Sequence, residues 1–307
     1  ATVGGKVDTF ECNMDTSLYE STLMQAAETG EYDLIVTGFG TMIEPLGNTA
    51  SKYPDQKFLI FDTQMDYSEG KNPNVVSVQV LQNEGGFLAG ALAALVTTSD
   101  AEYANEQKVV GFVGAMESTA ILDFLMGYIE GVKHVDPSIE VLYSFVGNHT
   151  DSALAKELGL SQFQQGADVV FAVGQNGLGV AEAANDSNRY LMGVDYDYSV
   201  RLEDTNKDAA AKILTSVIKD YRGMVYPMLE AINDGSINWG THSFISHAES
   251  GVYLVNNDYT KAIVSDEVWS EYEKVVSDLD SGKISVSTAF GASTADIDAV
   301  KAKAKSN

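Results

Sequence analysis

Cysteine is almost missing from this chain: Cys12 is the single one in 307 residues, so no intrachain disulfide can form. Cys/His clusters and HExxH spacing are absent, as is any acidic run spaced like a calcium loop, so the sequence offers no metal site. Basic charge is scarce as well. Nineteen Lys and Arg face 44 Asp and Glu, for a formal charge of -25, which leaves too few cations to neutralise a nucleic-acid backbone and opposes adsorption to an anionic bilayer. The longest helical apolar stretch, GGFLAGALAALV at 85–96, falls short of the roughly 20 residues that span a membrane and reads as a buried helix. No secretory signal opens the sequence, as expected of either a cytoplasmic protein or a processed exported one. The glycines of GQNGLG at 174, 177 and 179 miss the GxGxxG spacing, and neither a phosphate loop nor a nucleophile elbow occurs, which argues against nicotinamide chemistry and covalent catalysis.

What is present is core material. Hydrophobic residues make up 45% against 21% charged, with 12 Phe and 15 Tyr, and the length suits two cores of about 150 residues each. Short β-rich runs alternate with helical ones. VDTFECN at 7–13 reads as a strand in which Cys12 is a small buried residue, and YDLIVTGFG at 32–40, KFLIFD at 57–62 and NVVSVQV at 74–80 follow as strands. KVVGFVGA, IEVLYSFVG, ADVVFAVG, YLMGVD and AKILTSVIK continue the rhythm, with helices between. This predicts an α/β protein of two Rossmann-like lobes with parallel sheets joined by right-handed crossovers. The polar stretch at 98–107 places the lobe change near 105. Lobe 1 is then 1–105 with return segments at about 236–265, lobe 2 is 106–235, and 266–307 is a C-terminal helix followed by a polar tail that docks weakly or frays.

Sites in such sheets lie outside the carboxyl ends of the strands. GFGT at 38–41, FDTQ at 61–64, GAME at 114–117, GNHTD at 147–151, GQNGLG at 174–179 and VDYD at 194–197 all occupy such ends. Asp62 and Asp195 each follow an apolar strand, where a carboxylate either caps the next segment through backbone N–H groups or accepts from ligand hydroxyls and N–H groups. Lys219 either pairs with Asp195 or is solvated, His149 either meets a ligand or fills a loop while Asp151 caps the next helix, and Gly174 either shapes a turn or also lines a cleft. Asp197 reads as a solvent-facing turn residue.

The ordered series SKYPDQKFLIFD, NVVSVQVLQNEGGFLAGALAALVT, GFVGAMESTAILDFLMGYIEGVKHVDP, GADVVFAVGQNGLGV and YLMGVDYD closely resembles the basic membrane protein family, over about residues 7–286. These are solute-binding lipoproteins of ABC importers related to the purine nucleoside receptor type. The resemblance implies a periplasmic-binding-protein-like type I fold with an interlobe hinge and ligand cleft, no catalysis and no cofactor. It implies a purine nucleoside as ligand, an importer permease as partner, and a place at the outer face of a bacterial membrane. The N-terminal lipid anchor expected of the family is not in this sequence, and the chain begins near the family's second strand. On the same grounds Asp62 engages the base, Asp195 the ribose hydroxyls, and Lys219 the same sugar. Gly38, Phe39 and Met116 lie on loops that line the cleft, and His149 stands where many relatives have an aromatic. A nucleoside-processing α/β enzyme and a ligand sensor for another polar solute are the alternatives.

Overall fold

The structure, a computed structural model, describes residues 4–13 and 15–305. Its contacts separate the chain into two units, one running to Leu81 and taking in Asp220–Gly251, the other made of Gln82–Lys219 and everything from Val252 onward. The chain therefore passes between units after Leu81, after Lys219 and after Gly251, rather than near 105. The helix Tyr221–Asp234 belongs to the first unit, and the C-terminal segments belong to the second.

The first unit is built on a parallel sheet of β1 (Ile35–Gly38), β2 (Phe58–Phe61), β3 (Val75–Val80) and β9 (Thr241–Ile245), in that spatial order. The near-continuous apolar runs FLIF and VVSVQV are buried on both faces, as a parallel sheet covered by helices requires. Residues 7–13 do not form the expected strand. They are coil, with Val7 and Phe10 exposed, and pair with no strand among the described residues. Cys12 is accordingly half-buried rather than buried, and its thiol lies 3.6 Å from the Thr22 hydroxyl.

The second unit carries six strands: β4 (Val109–Gly114), β5 (Glu140–Phe145), β6 (Ala167–Val173), β7 (Tyr190–Val194), β8 (Ile213–Lys219) and β10 (Val252–Leu254). Their order is β10-β8-β7-β6-β4-β5, and only β10 runs antiparallel. From β4 the chain moves to β5 on one side and then returns to β6 on the other. That reversal is the switch point at which a crevice opens above the strand ends in α/β sheets.

The apolar stretch at 85–96 lies in the buried helix Gln82–Thr97, and no described helix is long and apolar enough to cross a membrane. This helix packs backbone against backbone on Thr119–Val135. A Cβ at Gly90 would stand 2.1 Å from the Tyr128 carbonyl oxygen, and one at Gly131 2.0 Å from that of Phe87, so only glycine permits the approach. The polar stretch at 98–107 is a pinned loop within the second unit. Fully buried Asp168 accepts from the Thr97 hydroxyl at 2.6 Å and the Asn105 amide at 2.9 Å, with Arg189 3.7 Å away.

The tail is docked rather than frayed. A capping box of Ser293 and Asp296 starts the helix Thr294–Ala302, Val300 and Ala304 are buried, and Val141 of β5 donates to the Ala304 carbonyl at 2.8 Å. The tail thus satisfies backbone groups that the outermost strand would otherwise leave open. Ahead of it, Asp123 accepts from the Thr288 hydroxyl at 2.6 Å and the Ala289 amide at 2.7 Å, while Glu130 accepts from the Ser287 amide at 2.9 Å.

Burial pushes the Asp123 carboxyl up to about 6, against the downward pull of its hydrogen bonds from Thr288, Ala289 and Asn83. Because the folded value lies above the ordinary one near 4, the folded protein keeps a proton that the unfolded chain has released. The contribution of Asp123 to stability is therefore full below about pH 4 and lost as pH rises through about 6. Urea unfolding of wild type and Asp123→Asn should show their stability difference shifting toward the variant by up to ~3 kcal/mol between pH 4 and pH 7, at 1.36 kcal/mol per unit. A pH-independent difference would refute this.

Candidate ligand-binding site

One backbone device recurs at the carboxyl ends of the parallel strands. The amide just beyond the strand still donates to the neighbouring strand: Phe39 to Phe61 at 2.9 Å, Asp62 to Val78 at 2.8 Å, and Asp195 to Val217 at 2.9 Å. Each of these residues then takes a positive φ, of 71°, 57° and 70° respectively. Asp tolerates that region because its short polar side chain bonds locally. Phe does not, and at φ 71°, ψ 155° Phe39 sits in a region that is essentially glycine's alone, at a cost of about 1–3 kcal/mol. Strain of this size persists where the surroundings over-determine it, and it concentrates at binding sites.

In the first unit these strand ends gather Gly38, Phe39 and Asp62. The rings of Phe39, Phe61 and Tyr221 form a triangle of edge-to-face contacts with centroids 5.5 to 6.0 Å apart. The Tyr221 hydroxyl donates to Asp62 Oδ2 at 3.3 Å. Gly38 serves the same group, since a Cβ there would lie 2.5 Å from the Phe61 ring. Phe39 remains 50% exposed, an aromatic face at the mouth of a sheet. Phe61 and Tyr221 escaped the sequence reading. Phe61 looks like ordinary strand core, and Tyr221 lies 159 positions from the Asp62 it touches.

The second unit assembles a different set. Lys219, at the end of β8, lies 3.4 Å from Asp195 Oδ1, so the two residues form an ion pair. The lysine side chain is 9% exposed and the carboxylate 38%, so a nearly buried ammonium rests on a carboxylate that still faces solvent. Met116 and Gly174 follow β4 and β6 at the switch point. Gly174, at φ 136°, is required there because a Cβ would stand 2.4 Å from that of Ala115, and Met116 is exposed. His149 is exposed at the tip after β5. Its loop is organised by Asn148, whose Oδ1 accepts from the Thr150 and Asp151 amides at 2.9 and 2.8 Å, and Asp151 in turn caps Ser152–Gln164.

Neither strand-end aspartate is a helix cap. After β7 that task falls to Asp197, whose Oδ1 accepts from the Ser199 and Val200 amides at 3.0 and 3.4 Å, while its Oδ2 takes the Asn257 side chain at 2.8 Å. Asp197 is therefore a structural link and not a solvent-facing turn residue. After β2 the next helical turn, Ser68–Gly70, is preceded by Tyr67. Helix capping beyond these strand ends thus does not fall to Asp195 or Asp62, whose partners include Lys219 and Tyr221 respectively.

Residues 5–288 match the family described as ABC transporter substrate-binding protein PnrA-like. The chain is 29% identical over 278 residues to the ABC transporter nucleoside-binding protein BmpA of Lactococcus lactis, covering 87% of this chain and 74% of that protein. It is 28% identical over 225 residues to basic membrane protein D of Borreliella burgdorferi, covering 72% of this chain but only 61% of that relative's length. Among solved structures, a solute-binding protein of an ABC transporter system from Aeropyrum pernix superposes with a TM-score of 0.78 at 22% identity, over 95% of this chain and 87% of that one. A second, from Conexibacter woesei, reaches 0.72 at 21% identity, over 93% and 89%. The fold is thus the two-unit α/β arrangement of periplasmic-binding-protein-like type I, and both fold and family are those of solute-binding proteins rather than enzymes.

If Phe39 is held against its backbone preference, glycine should suit the position better than alanine. Thermal or urea unfolding should rank Phe39→Gly above Phe39→Ala in stability by ~1 kcal/mol or more, and both should weaken ligand binding. The opposite ranking would show that the backbone is unstrained.

Proposed function

Because the chain belongs to the PnrA-like family of ABC transporter substrate-binding proteins, we propose that it captures a purine nucleoside outside the cytoplasm and delivers it to an importer permease. The observation that carries this reading is Asp195 ion-paired to Lys219 at a strand end of the second unit, and a strand-end aspartate of the first unit, Asp62, set among aromatic rings supports it. A carboxylate held by a neighbouring cation accepts from vicinal sugar hydroxyls, and charge-assisted bonds of this kind are the strong ones. Aromatic faces beside the second carboxylate suit a flat base carrying N–H donors. The named lactococcal relative is a nucleoside-binding protein, which supports the same ligand class.

Charge narrows the ligand further. A protein with a formal charge of -25 repels phosphate esters, so the neutral nucleoside is favoured over its nucleotide. Capture requires no bond chemistry. A ligand with differential affinity for two conformations of the protein shifts the population toward the one that a permease reads. Attachment at the outer face of the membrane belongs to the same proposal, as a property of the family.

Calorimetry on ligand-free protein should show inosine, guanosine or adenosine binding, with free ribose and nucleoside monophosphates far weaker. Replacing Asp195 by Asn should weaken nucleoside binding by ~10- to 100-fold, the equivalent of a charged hydrogen bond of about 1.5–3 kcal/mol. A 2′-deoxynucleoside should lose most of that sensitivity. Folded protein that binds no nucleoside would falsify the assignment.

A further inference from the structure

We propose that Asn148 is a glycosylation site: the exposed tripeptide Asn148-His149-Thr150 presents its side-chain amide for transfer of an N-linked oligosaccharide outside the cytoplasm. The assignment rests on the extracytoplasmic part of the reading above and extends it to a covalent modification. Asn-x-Ser/Thr, with any middle residue but proline, is the acceptor pattern, and it is used in surface loops. The chain contains it twice, at 148–150 and at 185–187. The fold treats the two differently.

Asn185 lies in the last turn of the helix Gly177–Ser187, half-buried, and its Oδ1 accepts from Lys212 Nζ at 3.2 Å. A transferase would have to unwind the helix end to take that tripeptide. Asn148 stands in the loop between β5 and the helix Ser152–Gln164, where residues 147–150 are all exposed and belong to no helix or strand. A Cβ added at Gly147 meets nothing within 4 Å, so the space beside the loop is open. The base of the loop is firm: the Gly147 amide donates to the Ala115 carbonyl at 2.8 Å, and the Asn148 carbonyl accepts from Asn176 Nδ2 at 3.0 Å. Its tip is shaped through Asn148 Oδ1, which accepts from the Thr150 amide at 2.9 Å and has the Thr150 hydroxyl 3.4 Å away. None of these bonds uses Asn148 Nδ2, the atom that is glycosylated. In the transfer, Nδ2 displaces the phosphate of a lipid-linked oligosaccharide at the anomeric carbon. The C–N bond forms, the C–O bond to phosphate breaks, and one amide proton ends on the departing lipid phosphate. Exposed loop tips are preferred sites of proteolytic nicking, and a bulky polar glycan shields this one.

The test is peptide mass spectrometry on protein purified from the membrane fraction of the cells that make it, as wild type, Thr150→Ser and Thr150→Ala, with unfolding temperature measured for each. The wild-type peptide containing Asn148 should carry an oligosaccharide, and the peptide containing Asn185 should be bare. Thr150→Ser, which retains a hydroxyl, should keep the glycan, and Thr150→Ala should lose it. An unmodified Asn148 in protein found outside the cytoplasm, a glycan that survives Thr150→Ala, or one carried by Asn185 instead each overturns the assignment. Protein confined to the cytoplasm overturns the extracytoplasmic reading and this inference with it.

Discussion

At the carboxyl end of β2 the amide of Asp62 still donates to Val78, although the backbone at that residue has already turned into the left-handed region. The same bond recurs from Asp195 to Val217 across β7 and β8, and from Phe39 to Phe61 across β1 and β2. It extends the parallel ladder one residue past each strand and reverses the chain immediately afterwards. The residue making the turn is therefore held by the sheet itself, the most rigid part of each unit. A carboxylate placed there keeps a defined position without having to cap a helix. Rigid support of this kind is what a binding site needs, because an acceptor that must be ordered by the ligand loses affinity to the entropy of ordering.

The remainder of each unit keeps those strand ends in register. In the second unit, glycine-mediated contact between Gln82–Thr97 and Thr119–Val135 brings two backbones closer than any side chain allows, and both helices are largely buried. Buried Asp168 gathers the loop after the first of these helices, and buried Asp123 gathers the segment leading to the C-terminal helix. Each spends a desolvated carboxylate on tying an irregular segment to the sheet layer. In the sequence the polar stretch at 98–107 suggests a lobe change and the tail after 294 one that docks weakly or frays; in the structure Thr97 and Asn105 satisfy Asp168, Thr288 and Ala289 satisfy Asp123, and the Ala304 carbonyl meets the edge of β5.

Most strands and helices were legible because their signals are local. The runs FLIF, VVSVQV and ADVVFAV form strands covered on both faces, LIVTGF contains an edge strand that leaves Val36 exposed, and the Asp, Asn and Ser residues that start the helices act within one turn. VDTFECN misled for the complementary reason. Its alternation suits a strand, but a strand exists only with a partner, and no local pattern reports whether a partner is available. The positions at which the chain changes units were also hidden, since Leu81, Lys219 and Gly251 lie within or beside well-formed elements and carry no composition shift.

The candidate site divides along the same line. Asp62, Asp195 and Lys219 could be named in advance because each ends an apolar run within an ordered family pattern, and strand ends are where α/β sheets place their ligands. That Asp195 and Lys219 pair, that Asp197 takes the capping role, and that Tyr221 comes to Asp62 from 159 positions away were decided only by the folded chain. Sequence by itself determined which segments become strands and which charged groups stand at their ends, because hydrophobic periodicity and strand termination act over a few residues. Tertiary structure decided which of those groups meet, because sheet order and the return of the chain at 220 join residues that no local rule connects.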